Sequence, residues 1–411
     1  MIKPSISENE KYNQKEREKD AMDKRLESIK AYVQSHRDEM IALWQDLVNL
    51  EGKAPEVENL NQVAQRLKEE FEKTGMDCRL ADVGPNARKY LVGIIGADRP
   101  GKPVIFSGHF DTVFAKGTFG ENPFRIEDGK AYGPGALDMK GGIVISLYVI
   151  KALESIGYNE HPIKVIYVSD EEIGHRNSSG ADLYLKEGQG GICAFNMETG
   201  LVDGRLCVGR KAAVFGHCVV NGVESHAGND FPSGRNAIEE MAYKIIELQK
   251  LTDLDKGSTV TCSVIQGGTV QNAIPGRCEM RIDMRFEKMA EMDRVMEAAR
   301  EICAKTHVEG TSTELELRVT MPVFEVTDAG MDFYHMVHDV ALENGFGEVG
   351  YTTLGGGSDA SYLTMAGTPS ICSFGVQGQW NHTDREYAVV ESLFTRTEMI
   401  AAVILNLGRL K

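Results

Sequence analysis

PVIFSGHFD, residues 103–111, is an apolar run that ends in a histidine and an aspartate. A short run of this kind, rich in branched and aromatic residues and opened by Pro103, reads as a strand buried on both faces. Its two polar residues, His109 and Asp111, stand two apart where the strand leaves the core, so alternation points them the same way. Three further runs share the pattern: KYLVGIIG (89–96), IKVIYVSDE (163–171) and GICAFNME (191–198). The segment 141–155, GGIVISLYVIKALES, reads as a helix between two of them. Strands alternating with helices predict an α/β domain with a covered, mainly parallel sheet. Its functional groups are expected just past the carboxyl ends of the strands.

The surrounding chain extends this picture. Apolar residues recur at helical spacing through 24–50 and 60–74, so helices precede the first strand. From about residue 210 the order becomes strand KAAVFGHCVVNG, helix 235–251, strands STVTCSVIQ and RCEMRIDMRF, helix 288–304 and strand TELELRVTM. This β-α-β-β-α-β order predicts a ferredoxin-like α+β domain. Each of its helices carries a single apolar stripe, so one face of its sheet is expected to be open. After about 322 the α/β pattern returns. The expected division is therefore 1–209 and 323–411 for a catalytic domain, with 210–322 inserted as a smaller one.

Composition excludes several classes. At 411 residues, 42% of them hydrophobic, the chain can fill more than one core. A formal net charge of -16 without a Lys/Arg-rich run argues against nucleic acid as a partner. Apolar stretches such as GGIVISLYVI and IAAVIL are too short to span a membrane, so no membrane association is expected. The first thirty residues mix charges and lack a secretory h-region, and the eight cysteines show no Cys-x-x-Cys spacing. The expectation is a cytoplasmic protein with reduced core thiols.

The polar residues beyond the strands carry the chemistry. GPGALDMKGG places Asp138 in a glycine-rich turn before the helix, VSDEEIG crowds Asp170, Glu171 and Glu172, NMETG contributes Glu198, and GQWNHTDREY contributes His382. Taken singly, each has an ordinary reading: a core histidine, a helix cap or a solvated acidic loop. Together, two imidazoles and several carboxylates form the donor set expected for zinc, with enough carboxylates for one to be shared by two ions. An all-oxygen calcium module does not use histidines. A scaffold with a dead site has no need of the extra carboxylate.

The motifs SGHFDTV (107–113), GPGALDMKGG (133–142), SDEEIG (169–174), NMETG (196–200), SHAG (225–228), QNAIPGRCEMRIDMR (271–285), GGGSDA (355–360) and NHTDREY (381–387) recur in this order in a known group. The chain resembles the cocatalytic zinc metallopeptidases that include glutamate carboxypeptidase, aminoacylase, succinyl-diaminopimelate desuccinylase and the aminotripeptidases. The resemblance implies two divalent metal ions, zinc in the family, bound by His109, Asp138, Glu172, Glu198 and His382, with Asp138 bridging. It leaves open whether His109 shares its ion with Glu198 or with Glu172. It makes Glu171 the general base and Asp111 the carboxylate that orients His109. His226 would reach the site of a partner subunit in a homodimer formed through the inserted lid domain. Arg285, Asn272 and the turn Gly355, Gly356 and Gly357 would meet the substrate's carboxylate. The implied reaction is cleavage of an amide next to a free-carboxylate amino acid in a small peptide. N-acyl amino acid deacylation is the alternative, and a dipeptidase or aminopeptidase a more distant one. Two features depart from the family. His175 and Arg176 stand where Ser or Thr often follows, and are expected at the surface. The first thirty residues have no counterpart among the motifs.

Overall fold

The computed structural model describes residues 8–176 and 178–410. The chain forms two compact units. One comprises the residues up to Val208, Thr327–Thr352 and the residues from Leu363 onward; the other comprises Gly209–Val326 and Thr353–Tyr362.

The first unit is built on a six-stranded sheet in the order Asp77–Asp82, Lys89–Ile95, Ile163–Val168, Val104–His109, Cys193–Asn196, Ser370–Ile371. Val104–His109 is buried along its whole length and pairs in parallel with Ile163–Val168 on one side and Cys193–Asn196 on the other. Three parallel neighbours therefore bring their carboxyl ends side by side, and His109, the SDEE turn and Glu198 all follow those ends. The run KYLVGIIG is a strand, but it pairs antiparallel with both neighbours, Asp77–Asp82 and Ile163–Val168.

The helix Gly141–Ser155 is apolar all round and almost wholly buried, as such a sequence requires. It packs against Val390–Leu405, Glu8–Ser35 and Arg37–Asn49. Glu8–Ser35 covers most of the N-terminal stretch that has no counterpart among the motifs, and residues 1–7 lie outside the described residues. The glycines of GPGALDMKGG have separate tasks. Gly135 takes a left-handed φ of 76° in the turn before Asp138. A Cβ on Gly142 would lie 2.1 Å from the carbonyl oxygen of Met197, so only glycine lets this helix start so close to the strand end that carries Glu198.

The second unit holds a four-stranded antiparallel sheet in the order Thr259–Gly267, Arg277–Phe286, Ala212–Asn221, Ser312–Met321. The helices Ala237–Gln249 and Met289–Ala304 share its core, with Val214, Cys218, Met280, Met284 and Val295 buried among them. The alternate residues Phe215, Arg281 and Glu316 face outward, so one face of the sheet is uncovered. All eight cysteines are free. Among the described residues, no helix is long and apolar enough to cross a membrane.

Candidate metal centre

Five residues from the ends of three strands, a turn and a late loop converge on one point of the first unit. His109 Nε2 lies 3.2 Å from Asp138 Oδ1 and 3.2 Å from Glu198 Oε1. His382 Nε2 lies 3.2 Å from Asp138 Oδ2 and 3.1 Å from Glu172 Oε2. Asp138 thus directs one oxygen into each of two triads, His109–Asp138–Glu198 and Asp138–Glu172–His382, whose donor atoms lie within 4.8 Å of one another. Of the two pairings left open by the sequence, the side chains group His109 with Glu198 and Glu172 with His382. Donors bound tetrahedrally at about 2.0 Å are separated by about 3.3 Å, which is the spacing seen between each histidine and its carboxylates. The donor set and spacing fit two divalent ions sharing Asp138.

The electrostatics agree. Burial pulls the His109 imidazole down, but the Glu198 charge and hydrogen bonds to Asp111, Asp138 and Glu198 outweigh it and hold it well above the usual histidine range. Hydrogen bonds to Asp138 and Glu172 push His382 up to about 11. Burial raises Glu172 to about 7, even against its bond with His382. The carboxylates thus favour positive charge at both imidazoles, as expected of a cluster shaped to surround a cation.

Supporting contacts fix these groups. His109 Nδ1 donates to the backbone carbonyl of Asp111 at 3.0 Å, while the Asp111 carboxylate lies at 3.4 Å from the same nitrogen. That carboxylate, fully buried, accepts the backbone N–H groups of Glu171 (3.3 Å) and Glu172 (3.2 Å). Asp111 therefore orients the imidazole mainly through its backbone, and its side chain holds the turn that bears Glu171. Two residues not singled out from the sequence also touch Asp138. Asn381 Nδ2 donates to its Oδ2 at 3.1 Å. Buried Glu386 accepts the backbone N–H groups of Leu137 (3.0 Å) and Asp138 (3.3 Å). Both lie in NHTDREY beside His382, so that motif held the signal. His175, expected at the surface, is buried instead; Arg176 is exposed.

The remaining expected residues lie in the second unit. The short pair Ser225–His226 and Ala273–Ile274 brings His226 beside Asn272, whose carbonyl accepts the Ala227 N–H at 2.9 Å. His226 Nδ1 accepts from Gly228 N (3.1 Å) and Asn229 N (2.9 Å). The proton of the neutral ring then sits on Nε2, which can act as a donor. The turn at Gly356 and Gly357 is held by Arg210, whose Nη1 donates to their carbonyls at 3.4 and 3.2 Å. Arg285 forks onto Asp283 of its own strand at 2.8 and 2.9 Å, so its guanidinium already has a carboxylate.

The fold and site define a metal-dependent hydrolase. Residues 105–406 match the model of peptidase family M20/M25/M40, and the chain belongs to that family. It is 28% identical to carboxypeptidase G2 of Pseudomonas sp. (strain RS-16), over 90% of this chain and 89% of that one. Among solved structures it is similar to the aminopeptidase PepT of Bacillus cereus ATCC 10987, with a TM-score of 0.75 at 20% identity over 90% of this chain and 99% of that one. It is also similar to the YXEP protein of Bacillus subtilis, described as a dinuclear metal binding peptidase of family M20, with a TM-score of 0.65 at 17% identity over 92% of this chain and 100% of that one.

Proposed function

We propose that this enzyme is a carboxypeptidase-type hydrolase of small peptides, cleaving the amide bond next to an amino acid with a free α-carboxylate. The observation that carries the chemistry is Glu171, placed on the turn beside Glu172 yet outside both triads, with its backbone N–H held by Asp111. The two triads would hold two divalent ions, zinc by donor chemistry, which would supply Lewis acidity toward water and the amide carbonyl. Glu171 accepts the proton of the attacking water and delivers it to the leaving nitrogen. Asp111 keeps both His109 and the Glu171 turn in place. Asn272 and the amides of the Gly355–Gly357 turn are assigned to the substrate carboxylate; Arg285, with its fork on Asp283, would have to exchange that partner to take part.

The carboxypeptidase reading draws on the similarity to carboxypeptidase G2 across nearly the full length of both chains, and on a glutamate rather than an aspartate at Glu198. Deacylation of an N-acyl amino acid uses the same groups and is the alternative. Dipeptides, N-acyl amino acids and their C-terminally amidated forms separate the readings. Amidation is expected to remove most activity, and equal turnover of acid and amide would overturn the carboxylate requirement in favour of an aminopeptidase.

We also propose a homodimer through the second unit. The edge strand Thr259–Gly267 exposes Val264 (50%) and Ile265 (51%), and the neighbouring helix Ala237–Gln249 exposes Tyr243 and Ile246. Unpaired apolar edges of this kind favour pairing. His226 would then serve the partner's site, donating from Nε2 to the developing oxyanion, a contribution of roughly 10²–10³-fold in rate. Mixing inactive His226→Ala and Glu171→Gln proteins under subunit exchange is expected to restore activity, since one site of each mixed dimer is intact. No recovery, with exchange demonstrated, would rule out the role in trans. The eight free cysteines suit a reducing cytoplasm.

A further inference from the structure

His175 departs from the usual Ser or Thr, and its environment gives it a task. Asp170, fully buried, receives hydrogen bonds on Oδ1 from the Tyr90 hydroxyl and from His175 Nδ1, the latter at 3.0 Å. A carboxylate only accepts, so Nδ1 carries the proton there. Tyr90 and His175 also lie 2.8 Å apart, and both are buried. Arg88 completes the cluster: its Nε is 3.6 Å from Asp170 Oδ2, its Nη1 donates to Ser169 O at 2.5 Å, and its Nη2 donates to Ala54 O at 2.6 Å. The turn closes on itself through His175 N to Asp170 O (3.0 Å) and Gly174 N to Glu171 O (2.7 Å).

The geometry points to His175 as a positioning residue that, with Tyr90 and Arg88, locks Asp170 and so fixes the general base Glu171. This rests on the proposed role of Glu171. The turn is held twice over by buried carboxylates, Asp111 taking its amides from one end and Asp170 anchoring the other. Glu172 gains further restraint from His382 within its triad. Glu171 lies outside both triads, on the turn that these two carboxylates hold, so the turn's backbone contributes to where it sits. A base displaced by a fraction of an ångström loses much of its rate advantage. The arrangement needs a donor at position 175 long enough to reach Asp170 from a left-handed residue, φ 52°. Histidine meets both demands; asparagine, also tolerant of that backbone, meets them in part.

The test compares His175→Ser with His175→Asn, each alone and combined with Glu171→Gln. His175→Ser is expected to lower kcat by roughly 10–100-fold, as loss of a supporting partner does, with KM and a metal content of two ions unchanged. His175→Asn should restore most of that loss. In the Glu171→Gln background, His175→Ser should cost nothing further, because the group it positions is gone. In metal-free protein labelled on histidine nitrogen, the His175 Nδ1 proton should exchange slowly and be lost in Asp170→Asn. An unimpaired kcat, a loss of the same size in both backgrounds, metal lost in step with kcat, or a fast-exchanging proton would each overturn the inference. Wild-type turnover by Glu171→Gln would instead overturn the role of Glu171, so the two failures are distinguishable.

Discussion

Glu171→Gln is expected to lower turnover by about 10²–10⁴-fold, the usual contribution of a general base, while both metal ions stay bound. The amide has nearly the volume of the carboxylate, and the bond from Glu171 N to Asp111 Oδ1 at 3.3 Å belongs to the backbone and survives the change. Neither triad loses a donor. Steady-state kinetics combined with elemental analysis of the same preparation check both halves. Retained turnover would exclude Glu171 as proton acceptor, and loss of metal would make it a ligand instead.

Asp138→Ala is expected to empty both metal positions and reduce activity to background. Each triad has three protein donors, and Asp138 supplies one to each through opposite oxygens. The affinity lost should exceed the roughly 10–100-fold that follows removal of an outer supporting group, since a direct donor goes from both positions at once. Glu198→Ala should affect one ion only. The fold should persist, because His109 keeps Glu198 at 3.2 Å and His382 keeps Glu172 at 3.1 Å. Thermal melting of the metal-free protein separates a lost site from a lost fold. An Asp138→Ala protein that still binds one ion tightly would place Asp138 in a single position.

Much of this architecture was legible in the chain because burial leaves a strong mark. Val104–His109 reads as a covered strand from its apolar run alone, and the single apolar stripe on each of the helices Ala237–Gln249 and Met289–Ala304 marks a sheet with one open face. The direction of Lys89–Ile95 was not legible. An apolar run looks the same in either sense, and here the direction is set by a short connection from Asp77–Asp82, whose sequence DCRLAD has no apolar run to announce it. The five candidate donors were legible by type and by order, but their grouping depends on which oxygen of Asp138 faces which imidazole, a spatial fact. His175 was misplaced for a related reason: its partner Tyr90, and Arg88, which pairs with the same Asp170, lie more than eighty positions earlier in the chain, and nothing local shows that a histidine after an acidic turn will find a buried carboxylate. Glu386 was overlooked because a glutamate in a polar loop looks solvated until the Leu137 and Asp138 amides are seen to meet it.

The two triads differ in how much of the chain each needs. His109, Asp138 and Glu198 all come from strands and turns encoded before residue 200, and the strands Val104–His109 and Cys193–Asn196 that lead to two of them are complete by Asn196. The other triad cannot close until His382 has been made, after the whole of Gly209–Val326. The first triad is therefore encoded in one stretch, His109 to Glu198, whereas the second joins Asp138 and Glu172 from that stretch to a residue beyond Gly209–Val326. Asp138 belongs to both, so this single residue ties the locally encoded triad to the one whose members are far apart in the chain.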